Sequence, residues 1–219
     1  VERLGRESGR YTREQKLLEE AAQVLGLKTP PRVIESYDIS NWGDGSSVCG
    51  MVVFKDGKPY RAGYRRFKMR TVAGTDDYAS MAETLSRRAA EYEAARRGEK
   101  PDNETNQFAT MPDLLLIDGG AEHAAVAQAV LDGFGLSVPV FGMVKDSHHK
   151  TRTVVGAGGE VNIARDNEIF TFIYRLQEEV HRFTVSKMTD AKRKTLKRST
   201  LQDIDGIGEK KAKALLAHF

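Results

Sequence analysis

Pro112-Asp113-Leu114-Leu115-Leu116-Ile117-Asp118-Gly119-Gly120 is an almost unbroken apolar run that stops at an acid and two glycines. A run without polar alternation is the pattern of a strand covered on both faces, and the Asp-Gly-Gly step turns the chain out of it. Beyond the turn, residues 121–134 place Val126, Val130, Leu131 and Phe134 on one helical face, and Val138 to Val144 forms a second buried strand. Two covered strands joined by a helix make a parallel β-α-β unit.

Upstream the pattern changes. Val33 to Ile39, Ser47 to Phe54 and Tyr60 to Met69 read as three strands of an antiparallel meander, with a hairpin turn at Asp56-Gly57. Asp76 to Arg97 is then an amphipathic helix. Tyr78, Met81, Ala82, Leu85, Ala89 and Tyr92 form its apolar face, and Arg87, Arg88, Glu91 and Glu93 fill the other. Thr75 is its expected N-cap, and Asp76 and Asp77 suit the positive end of its dipole. Residues 98–110 are polar and read as a surface loop. Downstream of the β-α-β unit, a hairpin at Gly156 to Gly159 leads into a helix with the apolar face Ile169, Phe172, Ile173, Leu176 and Val180, which closes the domain near Val185. The order β-β-β-α-β-α-β, then hairpin and helix, predicts an α/β fold: a ribonuclease H-like mixed sheet flanked by helices. The expected organisation is a linker helix over 1–31, whose periodicity ends before Gly26, the ribonuclease H-like domain over 32–185, and a basic linker with a truncated helix-hairpin-helix segment over 186–219.

Composition bounds the function classes. The 219 residues are 40% hydrophobic and 30% charged, which describes a soluble globular chain with room for one medium domain and a small appendage. The longest apolar runs fall short of the roughly 18 residues a membrane span needs. The single Cys49 excludes an internal disulfide framework and a Cys-rich zinc site, so a reducing cytoplasm is the expected compartment. The first residue is Val1, and a piece of a longer protein is expected. Net charge is +3, yet residues 186–219 carry nine Lys/Arg against four Asp/Glu, so the basic excess sits in this terminal segment. Such a segment suits a polyanionic partner.

Metal-assisted phosphodiester cleavage needs oxygen ligands converging from separate strands. Asp38 in the first strand and Asp118 at the end of the fourth would be neighbours in this sheet, and both can reach one cation. His181, near the end of the last helix, shares a face with Tyr174 and Glu178 and can ligate the metal or accept a proton. Taken singly, Asp38 also reads as a turn cap, Asp118 as a helix cap and His181 as a helix-terminal charge. His123, His148 and His149 lack ligand spacing and read as solvated surface. Lys68 and Arg70, ending the third strand, are candidates for tracking backbone phosphates. In Asp205-Gly206-Ile207-Gly208-Glu209-Lys210-Lys211, Gly206 and Gly208 turn backbone N–H groups outward at a helix start, and Lys210 and Lys211 add charge, a phosphate-binding arrangement.

Six strings carry a resemblance. Asp38-Ile39-Ser40-Asn41, Tyr64-Arg65-Arg66-Phe67-Lys68, Gly74-Thr75-Asp76-Asp77-Tyr78-Ala79-Ser80-Met81, Leu116-Ile117-Asp118-Gly119-Gly120, Glu179-Val180-His181-Arg182-Phe183 and Gly206-Ile207-Gly208 resemble, in that order, the C-terminal half of the UvrC family. These are the incision subunits of the bacterial excinuclease for nucleotide excision repair. The resemblance implies an endonuclease making the incision 5′ to a lesion in double-stranded DNA, with Mg²⁺ or Mn²⁺, in concert with UvrB and with UvrA upstream. It implies that the family's Asp, Asp and His triad falls on Asp38, Asp118 and His181, and a further required acid on Asp77, to which a supporting role is assigned. Where the family commonly has Lys, Gly and Gln after Asp-Gly-Gly, this chain has Ala121, Glu122 and His123. The rival readings are a non-catalytic DNA-binding or scaffold module and another ribonuclease H-like nuclease.

Overall fold

A computed structural model describes residues 2–41, 45–101, 106–145 and 151–202. The elements are α1 (Glu2–Leu25), β1 (Val33–Asn41), β2 (Ser47–Lys55), β3 (Lys58–Pro59), β4 (Arg65–Lys68), α2 (Asp77–Arg96), β5 (Leu114–Asp118), α3 (Ala121–Gly133), β6 (Val140–Lys145), β7 (Thr151–Gly156), β8 (Gly159–Asn162) and α4 (Asn167–Gln202). They form one mixed sheet in the order β3-β2-β1-β5-β6-β7-β8, with β4 also paired to β2. β5 is parallel to β1 and β6, and the remaining pairings are antiparallel. The fold is the expected ribonuclease H-like α/β architecture. No helix among the described residues is long and apolar enough to cross a membrane.

Strand alternation divides the core in two. Ile34, Val52, Phe54, Leu114, Leu116 and Met143 face α4 and α1. Tyr37, Cys49, Met51, Leu115 and Ile117 face α2 and α3. The apolar stripe expected on the last helix is buried throughout, from Ile169 to Val180. The helix expected as a linker instead joins the first core, where Leu18, Ala21 and Leu25 are buried, because its apolar stripe covers the sheet face that α4 leaves open. The chain divides into two units, Val1–Thr184 and Val185–Phe219. In the second unit the backbone is helical to Gln202. The helix-hairpin-helix residues Gly206, Gly208, Lys210 and Lys211 lie outside the described residues.

Other local expectations change. The Asp56-Gly57 turn has positive φ at both residues, the geometry that joins two twisted strands through two residues. The strand expected over Tyr60 to Met69 is broken into β3, a 3₁₀ turn at Arg61–Gly63 and β4. Pro59 sits where its missing N–H faces away from β2, and the Tyr60 N–H still donates to the Val53 carbonyl at 2.7 Å before the 3₁₀ turn carries the chain off. The cap of α2 is Asp76 rather than Thr75: its carboxylate accepts from the Ala79 N–H at 2.9 Å.

α2 is held to the sheet by a buried ion pair. Arg88 donates to Glu35 on β1, with Nη2 at 2.9 Å from Oε1, and also to the carbonyls of Phe108 and Thr110. Tyr37 donates its hydroxyl to Glu35 Oε2 at 2.6 Å. Both charged side chains are only 1% exposed. Burial, followed by the charge of Glu35, raises the Tyr37 phenol well above its ordinary value and keeps it a donor. The expectation that Arg88 lies on the solvent face of the helix is therefore corrected. Its position belongs to the Met81, Leu85, Arg88 series at helical spacing.

Candidate metal centre

Asp38 and Asp118 end up side by side because of register. Tyr37 on β1 is level with Ile117 on the parallel β5, so the next residue of each strand is the acid. Even positions of both strands face the α4 layer, as Ile34 and Leu116 show, so both carboxylates project toward that helix. α4 supplies His181, whose Nδ1 stands 3.3 Å from Asp38 Oδ2. One ligand atom from each of the three lies within 4.8 Å of the other two.

Asp118 is fixed from two sides. Gln177 of α4 donates its amide to Oδ1 at 3.0 Å, and Lys145 at the end of β6 donates to Oδ2 at 2.9 Å. The orientation of the Gln177 amide is set by Thr151, whose hydroxyl donates to Gln177 Oε1. Thr151 reaches it because the register of β6 against β7 slips at Val144/Lys145, leaving Arg152 as an extra residue. Such a bulge re-aims a neighbouring side chain, and Thr151 and Val154 are buried with two residues between them.

Asp38 is 5% exposed, and its Oδ2 makes no hydrogen bond. Burial, and then the neighbouring Asp118 charge, push its carboxyl up to about 6, against the opposing pull of His181 and Lys145. An orphaned buried carboxylate oxygen beside a second acid and an imidazole is a donor set suited to a hard divalent cation. Opposite ligands of Mg²⁺ stand about 4.2 Å apart. The three ligand atoms lie close enough for one such ion to be held by all three residues.

A pH effect follows, with its sign fixed by the raised value. Below the ordinary carboxyl value of 3.8 the folded and unfolded states are both protonated, and nothing is lost. Between the ordinary value and about 6 the unfolded chain ionises while the buried carboxyl holds its proton, so stability falls over this window and the loss is complete above about 6. In chelator, Asp38→Asn will raise the melting temperature at pH 8 by several degrees and leave it unchanged at pH 3.5. Thermal scans at the two values check this; equal shifts at both would contradict it.

The seat of His181 depends on Gly50, the register partner of Asp38. A Cβ there would lie 2.0 Å from Thr184 Oγ1 and 3.0 Å from its Cβ. Only glycine lets α4 approach the strand so closely. Gly50→Ala is expected to lift the helix and weaken Mn²⁺ binding by at least about tenfold, with an overpacking cost of about 1–3 kcal/mol. Titration calorimetry reads the first, and Thr184→Ala in the same chain should recover part of both.

Asp77 stands apart from the trio. It opens α2 and accepts from Asn41 Nδ2 at 3.0 Å, while Ser47 donates to Asn41 Oδ1 at 2.6 Å. Asp77 thus ties the helix start to the end of the strand carrying Asp38. Lys68 and Arg70 are exposed at and just beyond the end of β4. His123 packs against Tyr78, with ring centroids 4.6 Å apart, and Tyr78 donates to Glu122. His148 and His149 lie outside the described residues. The expected partnership of Tyr174 and Glu178 with His181 is corrected. Those two line a cavity with Phe54, Pro59 and Arg182, and the polar ridge facing the acids is Gln177, His181 and Thr184. Gln177 and Lys145 were missed by sequence reasoning. The i, i+4, i+7 polar series beside the apolar stripe was the available signal for the first.

A family model described as the UvrC RNAse H endonuclease domain matches residues 22–185. UvrABC system protein C of Ruminiclostridium cellulolyticum is 41% identical over 197 residues, 90% of this chain and 32% of that protein. The Clostridium acetobutylicum protein of the same name is 42% identical over 206 residues, 93% and 33% of the two chains. The chain thus spans about a third of the length of the curated relatives it matches. Among solved structures, human ENDOV aligns with a TM-score of 0.37 at 10% identity, covering 68% of this chain and 76% of that one.

Proposed function

The chain belongs to the family of the UvrC RNase H endonuclease domain, and from that premise we propose that it hydrolyses a DNA phosphodiester on the 5′ side of a lesion, using a divalent cation held by Asp38, Asp118 and His181. The observation that carries the reading is the meeting of three ligand atoms from β1, β5 and α4 within 4.8 Å. When bound, Mg²⁺ or Mn²⁺ would polarise the phosphoryl group and acidify a water. The protein's own groups do the rest. Asp38 and Asp118 supply the neutralising charge, and Gln177 fixes the plane of the Asp118 carboxylate. His181, more than half exposed, supplies the third ligand atom through a ring nitrogen. Asp77 acts as a positioning residue through Asn41. Lys68 and Arg70, with Gly206, Gly208, Lys210 and Lys211, are assigned to the DNA backbone. UvrB is the proposed partner, and the cytoplasm the proposed compartment.

The test is nicking of a lesion-bearing duplex by the chain with its UvrABC partners in Mg²⁺ or Mn²⁺. The reading expects one cut on the 5′ side that is lost in chelator. Cutting that persists in chelator would overturn the metal assignment. Robust cleavage of the RNA strand of a hybrid would favour another ribonuclease H-like activity.

A further inference from the structure

We propose that Lys145 is a further catalytic residue, whose ammonium contacts the scissile phosphodiester and neutralises charge developing on its leaving oxygen. The proposal rests on the reading of Asp38, Asp118 and His181 as the metal centre. β6 runs parallel to β5 with Met143 level with Asp118, so Lys145 lies two residues further toward the strand ends. Phe141 and Met143 face the α4 layer, and Lys145 shares their parity. Its Nζ sits 2.9 Å from Asp118 Oδ2, with the lysine side chain 36% exposed over a carboxylate only 5% exposed. The ammonium thus lies between the buried acids and the solvent from which a substrate arrives. One hydrogen bond to Asp118 leaves two N–H donors for another oxygen.

Charge balance gives that position its use. Two carboxylates neutralise one divalent cation, which leaves nothing to offset the extra negative charge of the reacting phosphoryl group. A fixed ammonium supplies one compensating charge at no reorganisation cost. In the step, a water oxygen bonds to phosphorus and releases its proton to solvent. The bridging P–O bond breaks, and its electron pair stays on the leaving oxygen, which is then protonated from solvent. Lys145 keeps its proton throughout. The Lys145 side chain is 36% exposed and Asp118 keeps its Gln177 donor, so substitution should leave the fold intact.

The experiment compares Lys145→Met, Lys145→Arg and Asp118→Asn on two duplexes. One has the natural linkage, and the other carries sulfur in place of the bridging oxygen that leaves. Mn²⁺ binding is measured by calorimetry on the same proteins. At saturating Mn²⁺, Lys145→Met should slow cleavage of the natural linkage about 100-fold and Lys145→Arg less than about tenfold. Mn²⁺ affinity of Lys145→Met should equal or exceed that of the parent, because a competing cation has left Asp118. On the sulfur-bridged linkage, whose leaving group carries its own charge well, the Lys145→Met loss should shrink to within about threefold. An equal loss on both linkages, no loss on either, or a fall in Mn²⁺ affinity that accounts for the rate would overturn the proposal. Asp118→Asn should fail on both linkages; its survival would sink the metal-centre reading instead, whatever Lys145 does.

Discussion

Asp118→Asn will lower cleavage by at least about 10³-fold, some 4 kcal/mol of transition-state stabilisation, while the protein stays folded and still binds duplex DNA. The substitution keeps the shape of the side chain and removes its charge. That charge is what the site cannot do without, because Asp118 is where the network closes. Its carboxylate is shared by Gln177 and Lys145 and adjoins Asp38. An amide in its place would leave Asp38 and an imidazole to hold a divalent ion, too little charge for a hard cation. Asp38→Asn should fall by a similar factor and also gain stability in chelator. Single-turnover nicking with circular dichroism as a fold control checks both. Parent-like nicking by either variant would refute the assignment of that acid.

The second large effect concerns stability. Arg88→Met leaves Glu35 buried, 1% exposed, without its cation. Breaking one side of such a pair costs about 3–5 kcal/mol. For a domain of this size that lowers the melting temperature by roughly 10 °C. Arg88 also donates to the carbonyls of Phe108 and Thr110, so the segment leading into β5 loosens as well. Changing both partners, Glu35→Met with Arg88→Met, removes the stranded charge and should recover more than half of the loss. Denaturant titration of the two single variants and the double variant gives the coupling. A double variant as unstable as the sum of the singles would show that the pair is not what seats α2.

Much of this was readable from residues alone. The unalternating Leu114 to Ile117 run and the Val-rich Ser47 to Phe54 run each become a buried strand, and the acids at Asp38 and Asp118 follow from their places on adjacent strands. His181 was legible from its helix, but its companions were not. Helix phase predicts which residues share a face, yet only tertiary packing decides which side of the stripe meets the sheet. Gln177 therefore faces Asp118, while Glu178 is exposed. Arg88 was hidden by its residue type: charge argues for solvent, and only Glu35 across the layer reverses the argument. The extra residue Arg152 in β7, which aims Thr151 at Gln177, carries no composition signal. The approach of α4 to Gly50 needs three-dimensional distances to be seen at all.

The most direct test of the account is an anomalous difference map from a crystal of the chain soaked in Mn²⁺. The account predicts a peak about 2.0–2.4 Å from a carboxylate oxygen of Asp38, a carboxylate oxygen of Asp118 and a ring nitrogen of His181. A saturating soak that leaves those three side chains without a peak, or places the ion on other acids, would contradict it.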